Sequence, residues 1–253
     1  MLFRSPIAKP ASKLPRVDVK EPARTEEKRF VEYGQNVPLP AIAITYLAPR
    51  KADADVSALR VAQTILSGGE SSRLYQALVY QQQIAAEAFG EGDLREDLGL
   101  FVVGAIVAGG KKPEDAEKAL LAEIKKMQDT PVSAAELDKA KNQLITSQLQ
   151  QRETSEGKAS ALGEAAVLLG DPNRVNTDLA RLQAVTAADV QRVMKTYLGD
   201  AKPVVITYLP EVAKTDKTGR SEPPAVAGGL SIAKAQHPAT IRSSYKVTGG
   251  HGR

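Results

Sequence analysis

Strand-like segments arrive in pairs in this chain, with helical segments grouped between and after them, and that order restricts the fold more than any single motif. Arg29 to Tyr33 alternates polar and apolar residues, and after the break at Gly34 to Pro40 the run Ala41 to Ala48 is apolar on both faces, as a central strand is. A second pair, Ile84 to Gly92 and Leu98 to Ala108, flanks the polar turn Asp93 to Asp97. Between the pairs, Val56, Leu59, Ala62 and Leu66 fall at helical spacing and stop at Ser67-Gly68-Gly69, where glycine suits the left-handed end of a helix. A second helix restarts at Ser71 or Ser72 and runs to about Gln82, with Leu74 and Leu78 inward and Tyr75 a further candidate for that face.

The rest is helical and well punctuated. Pro113 suits a first helical turn before the stripe Ala116, Leu120, Leu121, Ile124 and Met127. Ser133 and Glu136 form a capping-box pattern ahead of Leu137, Leu144, Ile145 and Leu149. Helices are expected over 155–169, 175–182 and from Thr186 to Leu198, and Val204 to Leu209 is a last strand. Paired strands with grouped helices predict an α+β fold in which a sheet of about five strands carries helices on one face, not a doubly wound parallel sheet. Residues 1–27, with Pro6, Pro10, Pro15 and Pro22 among charges, read as an extended linker or the end of a preceding unit; the folded unit is expected over 28–212, and 213–253 as a disordered basic tail.

Composition narrows the chemistry. There is no Cys, and the only two His, His237 and His251, lie in the Gly- and Pro-rich tail as incidental residues, so a three-ligand catalytic metal site is not expected in this chain. The net charge of +4 is not a nucleic-acid signature: residues 1–35 carry 8 Lys/Arg against 5 Asp/Glu and residues 211–253 carry 7 against 3, leaving the centre mildly acidic. The longest apolar run, Leu98 to Gly110, is interrupted by glycines and shorter than the ~20 residues of a membrane span, so none is expected. MLFRSPIAKPASKLPR, with three prolines and four basic residues, does not read as a secretory signal.

The Pro-rich entry KLPRVDVKEPARTEEKRF, the segment ADVSALRVAQTILSGGESSRLYQALVYQQQIAAEAFGEGD, the capped SAAELDKAKNQLITS and TAADVQRVMKTYL occur in an order that resembles the second half of the pitrilysin-like zinc peptidases, the M16 family, over residues 5 to 212. The resemblance implies one of two α/β half-domains that face each other around a peptide chamber. The first half of such proteins carries H-x-x-E-H, a motif this chain lacks. Zinc is therefore expected in a partner half, or in a missing N-terminal half, and none in this chain. The implied activity is metalloendopeptidase action on a peptide substrate by the pair, with this chain inactive alone. The alternative is a non-catalytic assembly subunit of the same fold, like the core subunits of respiratory complexes, and a stray fragment is a third possibility. Gram-negative members are frequently periplasmic, but the sequence leaves the compartment unknown.

No catalytic residue is assigned. The family's second half often supplies an Arg and a Tyr seven positions apart, which fall at Val79 and Ala86 here. Arg73 and Tyr80 keep that spacing and would share one face of an α-helix, which makes them substrate-binding candidates with Tyr75, Gly68 and Gly69. Each has a plainer role: Arg73 pairing Glu70 or a helix carbonyl, the tyrosines packing with wet hydroxyls, and the glycines making a tight turn. Glu91 to Asp97 reads as a solvated acidic turn rather than a metal site. A sheet edge is a further candidate for a peptide added as a strand, unless a helix, the linker or the partner covers it.

Overall fold

The apolar runs assemble into one five-stranded sheet: β1 (Lys28–Gly34), β2 (Ala41–Ala48), β3 (Ala85–Asp93), β4 (Gly99–Val107) and β5 (Val204–Pro210), in the order β1-β5-β2-β4-β3. The computed structural model describes residues 22–211 apart from Asn36 and Asp200. The expected basic tail with His237 and His251, and the linker as far as residue 21, lie outside the described residues. The helices are α1 (Val56–Ser67), a π-wound segment (Tyr75–Gln81), α2 (Pro113–Asp129), α3 (Ala134–Gln151), α4 (Ser155–Leu168), α5 (Arg174–Ala184) and α6 (Ala187–Leu198). None of them is long and apolar enough to cross a membrane.

β1 and β2 are consecutive but not neighbours. β5 lies between them, parallel to β1 and antiparallel to β2, with Arg29 opposite Val205 and Ala43 opposite Ile206. The burial explains the order: β1 is exposed along nearly its whole length, which suits an edge, whereas β5 turns Val205 (3% exposed) into the core. β3 is the other edge.

Alternation along the central strands defines two faces. Ile42, Ile44, Tyr46 and Ala48 of β2 and Phe101, Val103, Ala105 and Val107 of β4 are buried on one of them. The helices cover that face, contributing Leu59, Leu66, Leu74, Leu78, Leu120, Met127, Val190 and Met194. Each side chain so buried stabilises by roughly 1.5–3 kcal/mol before entropy is counted. The fold is thus α+β with helices on one face, as expected.

Local signals explain the helix ends. The Ser133 hydroxyl accepts from the Glu136 N–H at 3.2 Å while the Glu136 carboxylate accepts from the Ser133 N–H at 3.0 Å, and Thr186 and Asp189 repeat the box on α6. Two expected core residues are not in the core. Leu121 is 38% exposed because it sits about 100° round α2 from the inward Leu120. Leu149 is 50% exposed because its neighbour Gln148 takes the inward position, where its amide oxygen meets Arg60.

Candidate functional site

The glycines after α1 are required by backbone geometry. A Cβ on Gly68 would stand 2.4 Å from the Thr64 carbonyl oxygen, and Gly69 has φ +86°, a conformation that favours glycine. They turn the chain from α1 into the segment that carries Arg73, Tyr75 and Tyr80. That segment is not the α-helix expected. Gln76 N–H still reaches the Ser72 carbonyl four residues back, but Gln82 N–H reaches Ala77, five back, and Gln83 leaves with φ +52°. Wider winding, at roughly 4.4 residues per turn, removes the basis on which residues seven apart share a face.

The candidate pair is accordingly split between two environments. Arg73 does not pair Glu70. Its Nε and Nη2 donate to the two carboxylate oxygens of Glu136 on α3, at 2.8 and 3.0 Å. Glu136 also accepts from the Ser133 hydroxyl at 2.9 Å, and Arg73 foremost, with Ser133, holds its carboxyl down at about 2. Tyr80, by contrast, is 70% exposed, and Tyr75 is half-buried. Lys139 donates to Ser71 beside a small cavity of about 50 Å³ lined by Gly68, Ser72 and Glu136. The glycine turn is therefore a junction tied to α3 by the Arg73–Glu136 and Lys139–Ser71 contacts, and Tyr80 beyond it stays exposed.

The sheet face away from the helices offers more surface. The register places Phe30, Ile206, Ala43, Gly104 and Phe89 side by side across all five strands, with Tyr208 and Leu100 flanking them. Phe30, Phe89, Leu100 and Tyr208 are 37–48% exposed. A Cβ on Gly104 would lie 2.5 Å from the Phe89 ring, so this glycine is what lets the ring lie flat across the strand. Arg24, ahead of β1, donates to the Thr45 carbonyl at 2.8 Å.

Two arrangements had no signature in the sequence because their partners are remote. Asp55, before α1, accepts from Arg192 at 2.8 and 3.1 Å and from the Tyr197 hydroxyl at 3.0 Å, clamping α1 to α6. Arg192 is the main cause that lowers the Asp55 pKa, while burial and Asp55 push the Tyr197 hydroxyl up to about 12. Arg29 on β1 likewise forks onto the nearly buried Glu117 of α2 at 2.7 and 3.1 Å. Among the described residues no group of three or more His, Cys, Asp and Glu is placed to hold a metal, so the residues present do not fit a zinc site.

Comparison with known proteins agrees with this architecture. Residues 4–144 match the family model described as Peptidase M16 inactive domain. The zinc protease PqqE of Helicobacter pylori is 26% identical over 205 residues, covering 78% of this chain and 44% of that protein. Subunit 2 of the rat mitochondrial cytochrome b-c1 complex is 29% identical over 161 residues, 59% of this chain and 35% of that one. The chain thus spans less than half the length of either relative. Among solved structures, a protease from Helicobacter pylori superposes with a TM-score of 0.75 at 23% identity, over 80% of this chain and 49% of that one. An inactive peptidase domain from Bordetella parapertussis gives 0.62 at 28% identity, over 75% and 95%. With its zinc motif absent and its sheet and helices in the same arrangement, the chain belongs to the Peptidase M16 inactive domain family, as a C-terminal half of the M16 type.

Proposed function

We propose that this chain acts as the non-zinc half of an M16 metalloendopeptidase, closing a peptide chamber and binding substrate when paired with a half that carries zinc. The observation that carries this is the helix-free sheet face, where Phe30, Phe89, Leu100 and Tyr208 stand partly exposed on a half-domain that has no metal-ligating cluster among its described residues. Exposed apolar side chains grouped on one face are the kind of surface that a partner or a ligand covers. β1 and β3 are the edge strands at which a peptide could add as a further strand, although on β3 the Gly90 carbonyl already accepts from Ser67 and Gln63. Of the candidates Tyr80, Tyr75, Gly68 and Gly69, Tyr80 is the side chain most exposed to meet a peptide. Arg73 is committed to Glu136 through Nε and Nη2, which leaves Nη1 as its donor towards a substrate.

Co-expression with an M16 half bearing H-x-x-E-H, followed by co-purification and cleavage of a quenched fluorescent peptide, tests the proposal. The pair is expected to cleave and each half alone to be inactive. Cleavage by this chain alone in zinc-supplemented buffer refutes it. A stable but inactive complex supports instead a non-catalytic assembly subunit, which the identity to the cytochrome b-c1 subunit and the residues Val79 and Ala86 at the usual Arg and Tyr positions favour.

A further inference from the structure

On the helix-covered side a cavity of about 770 Å³ opens between α1, α3, α4, α5 and the end of β3, apart from the bare sheet face. This is the size of a small-molecule site. Four cations approach it. Lys51 pairs Glu164 at 2.6 Å, Arg174 donates to Asp178 at 3.2 Å, and Arg152 donates one Nη to the Val175 carbonyl at 2.7 Å. Arg60, like Arg152, has no carboxylate hydrogen-bonded to it among the described residues. Gln148, with its amide oxygen turned to the guanidinium, accepts from Nη1 at 2.7 Å and Nη2 at 3.3 Å. A guanidinium has five N–H donors, so part of that capacity is left for the cavity. Burial is the chief cause that lowers the Arg60 pKa; the charges of Asp178 and Glu164 oppose that lowering and the like charge of Arg152 adds to it, so an anion held between Arg60 and Arg152 would relieve both.

The rest of the lining selects among anions. Glu91, Asp93, Glu156, Glu164 and Asp178 also border the cavity, which opposes a multiply charged phosphate and favours a single carboxylate joined to a cation. We propose that the cavity binds a zwitterionic ligand of the amino-acid or dipeptide class, its carboxylate received by Arg60 and Arg152 and its cationic end by the acidic rim of Glu91, Glu156 and Glu164. This site does not depend on a peptide chamber or on a zinc-bearing partner.

Isothermal titration of the full chain with the dipeptide Gly-Lys, its C-terminal amide and inorganic phosphate tests it. Saturable one-to-one binding of Gly-Lys is expected, weakened about tenfold or more by amidation or by Arg60→Met, the usual loss when a charge-assisted hydrogen bond is removed. Circular dichroism reports whether Arg60→Met folds. Should it not, Ser160→Trp, which fills the cavity from α4 and leaves Arg60 in place, is expected to abolish binding instead. Absence of saturable binding, equal binding of the amide, or phosphate binding as tight as Gly-Lys overturns the proposal.

Discussion

Replacing Arg73 by Met keeps the aliphatic stem and removes the fork onto Glu136, so it separates a structural Arg73 from a substrate-binding one. The magnitude follows from the carboxyl. Glu136 titrates at about 2 in the folded chain against an ordinary value near 4.5. In full that displacement corresponds to roughly 3 kcal/mol. Ser133 supplies part of it, however, and the Glu136 side chain is 36% exposed, so solvent screening leaves roughly 1–1.5 kcal/mol to Arg73. The sign is fixed by linkage: a carboxyl with a depressed folded pKa stabilises above its unfolded pKa, and the contribution is lost as pH falls from about 4.5 towards 2. Urea unfolding of the parent chain and Arg73→Met is therefore expected to differ by about 1 kcal/mol between pH 6 and 8, or roughly 2–4 °C in Tm. The gap should shrink steadily between pH 4.5 and 2.5. A gap of the same size at pH 2.5 would mean that Arg73 acts by packing alone. No gap at neutral pH would refute the ion-pair account and return Arg73 to the candidates for substrate contact.

Asp55→Asn weakens the clamp between α1 and α6 by removing the charge that Arg192 and Tyr197 converge on, and about 1 kcal/mol of destabilisation at neutral pH, fading below pH 4 as the parent Asp55 protonates, is expected in the same urea titration. Gly104→Ala places a methyl 2.5 Å from the Phe89 ring and 2.6 Å from the Ile42 carbonyl oxygen, a cost of about 1–3 kcal/mol. Adding Phe89→Ala should relieve only part of it in thermal melts, because the backbone contact remains; full recovery would show that the ring alone required glycine.

Much of the α+β layer was legible because its signals are local. The apolar run of β2, Pro113 at the start of α2, and the Ser133–Glu136 and Thr186–Asp189 boxes each act within a few residues, so propensity and patterning read them directly, whereas the alternating burial of β2 came only with the helices that cover one of its two apolar faces. The candidate site was less legible. Residues seven apart share a face only if the winding is α, and the winding from Tyr75 to Gln81 depends on how that stretch packs against β3 and α2.

By itself the sequence determined that no H-x-x-E-H and no cysteine chemistry exists here, that five strand-like runs come in a particular order, and that the order resembles an M16 second half. Only the tertiary structure decided which strands pair, which partner Arg73 takes, and that Arg60 opens onto a cavity. Those outcomes rest on contacts between residues far apart in the chain. β5 enters between β1 and β2 from more than 150 residues away, Arg73 meets Glu136 63 residues on, and Asp55 meets Arg192 137 residues on. Local patterning sets which face of an element is apolar, but not which distant element comes to cover it.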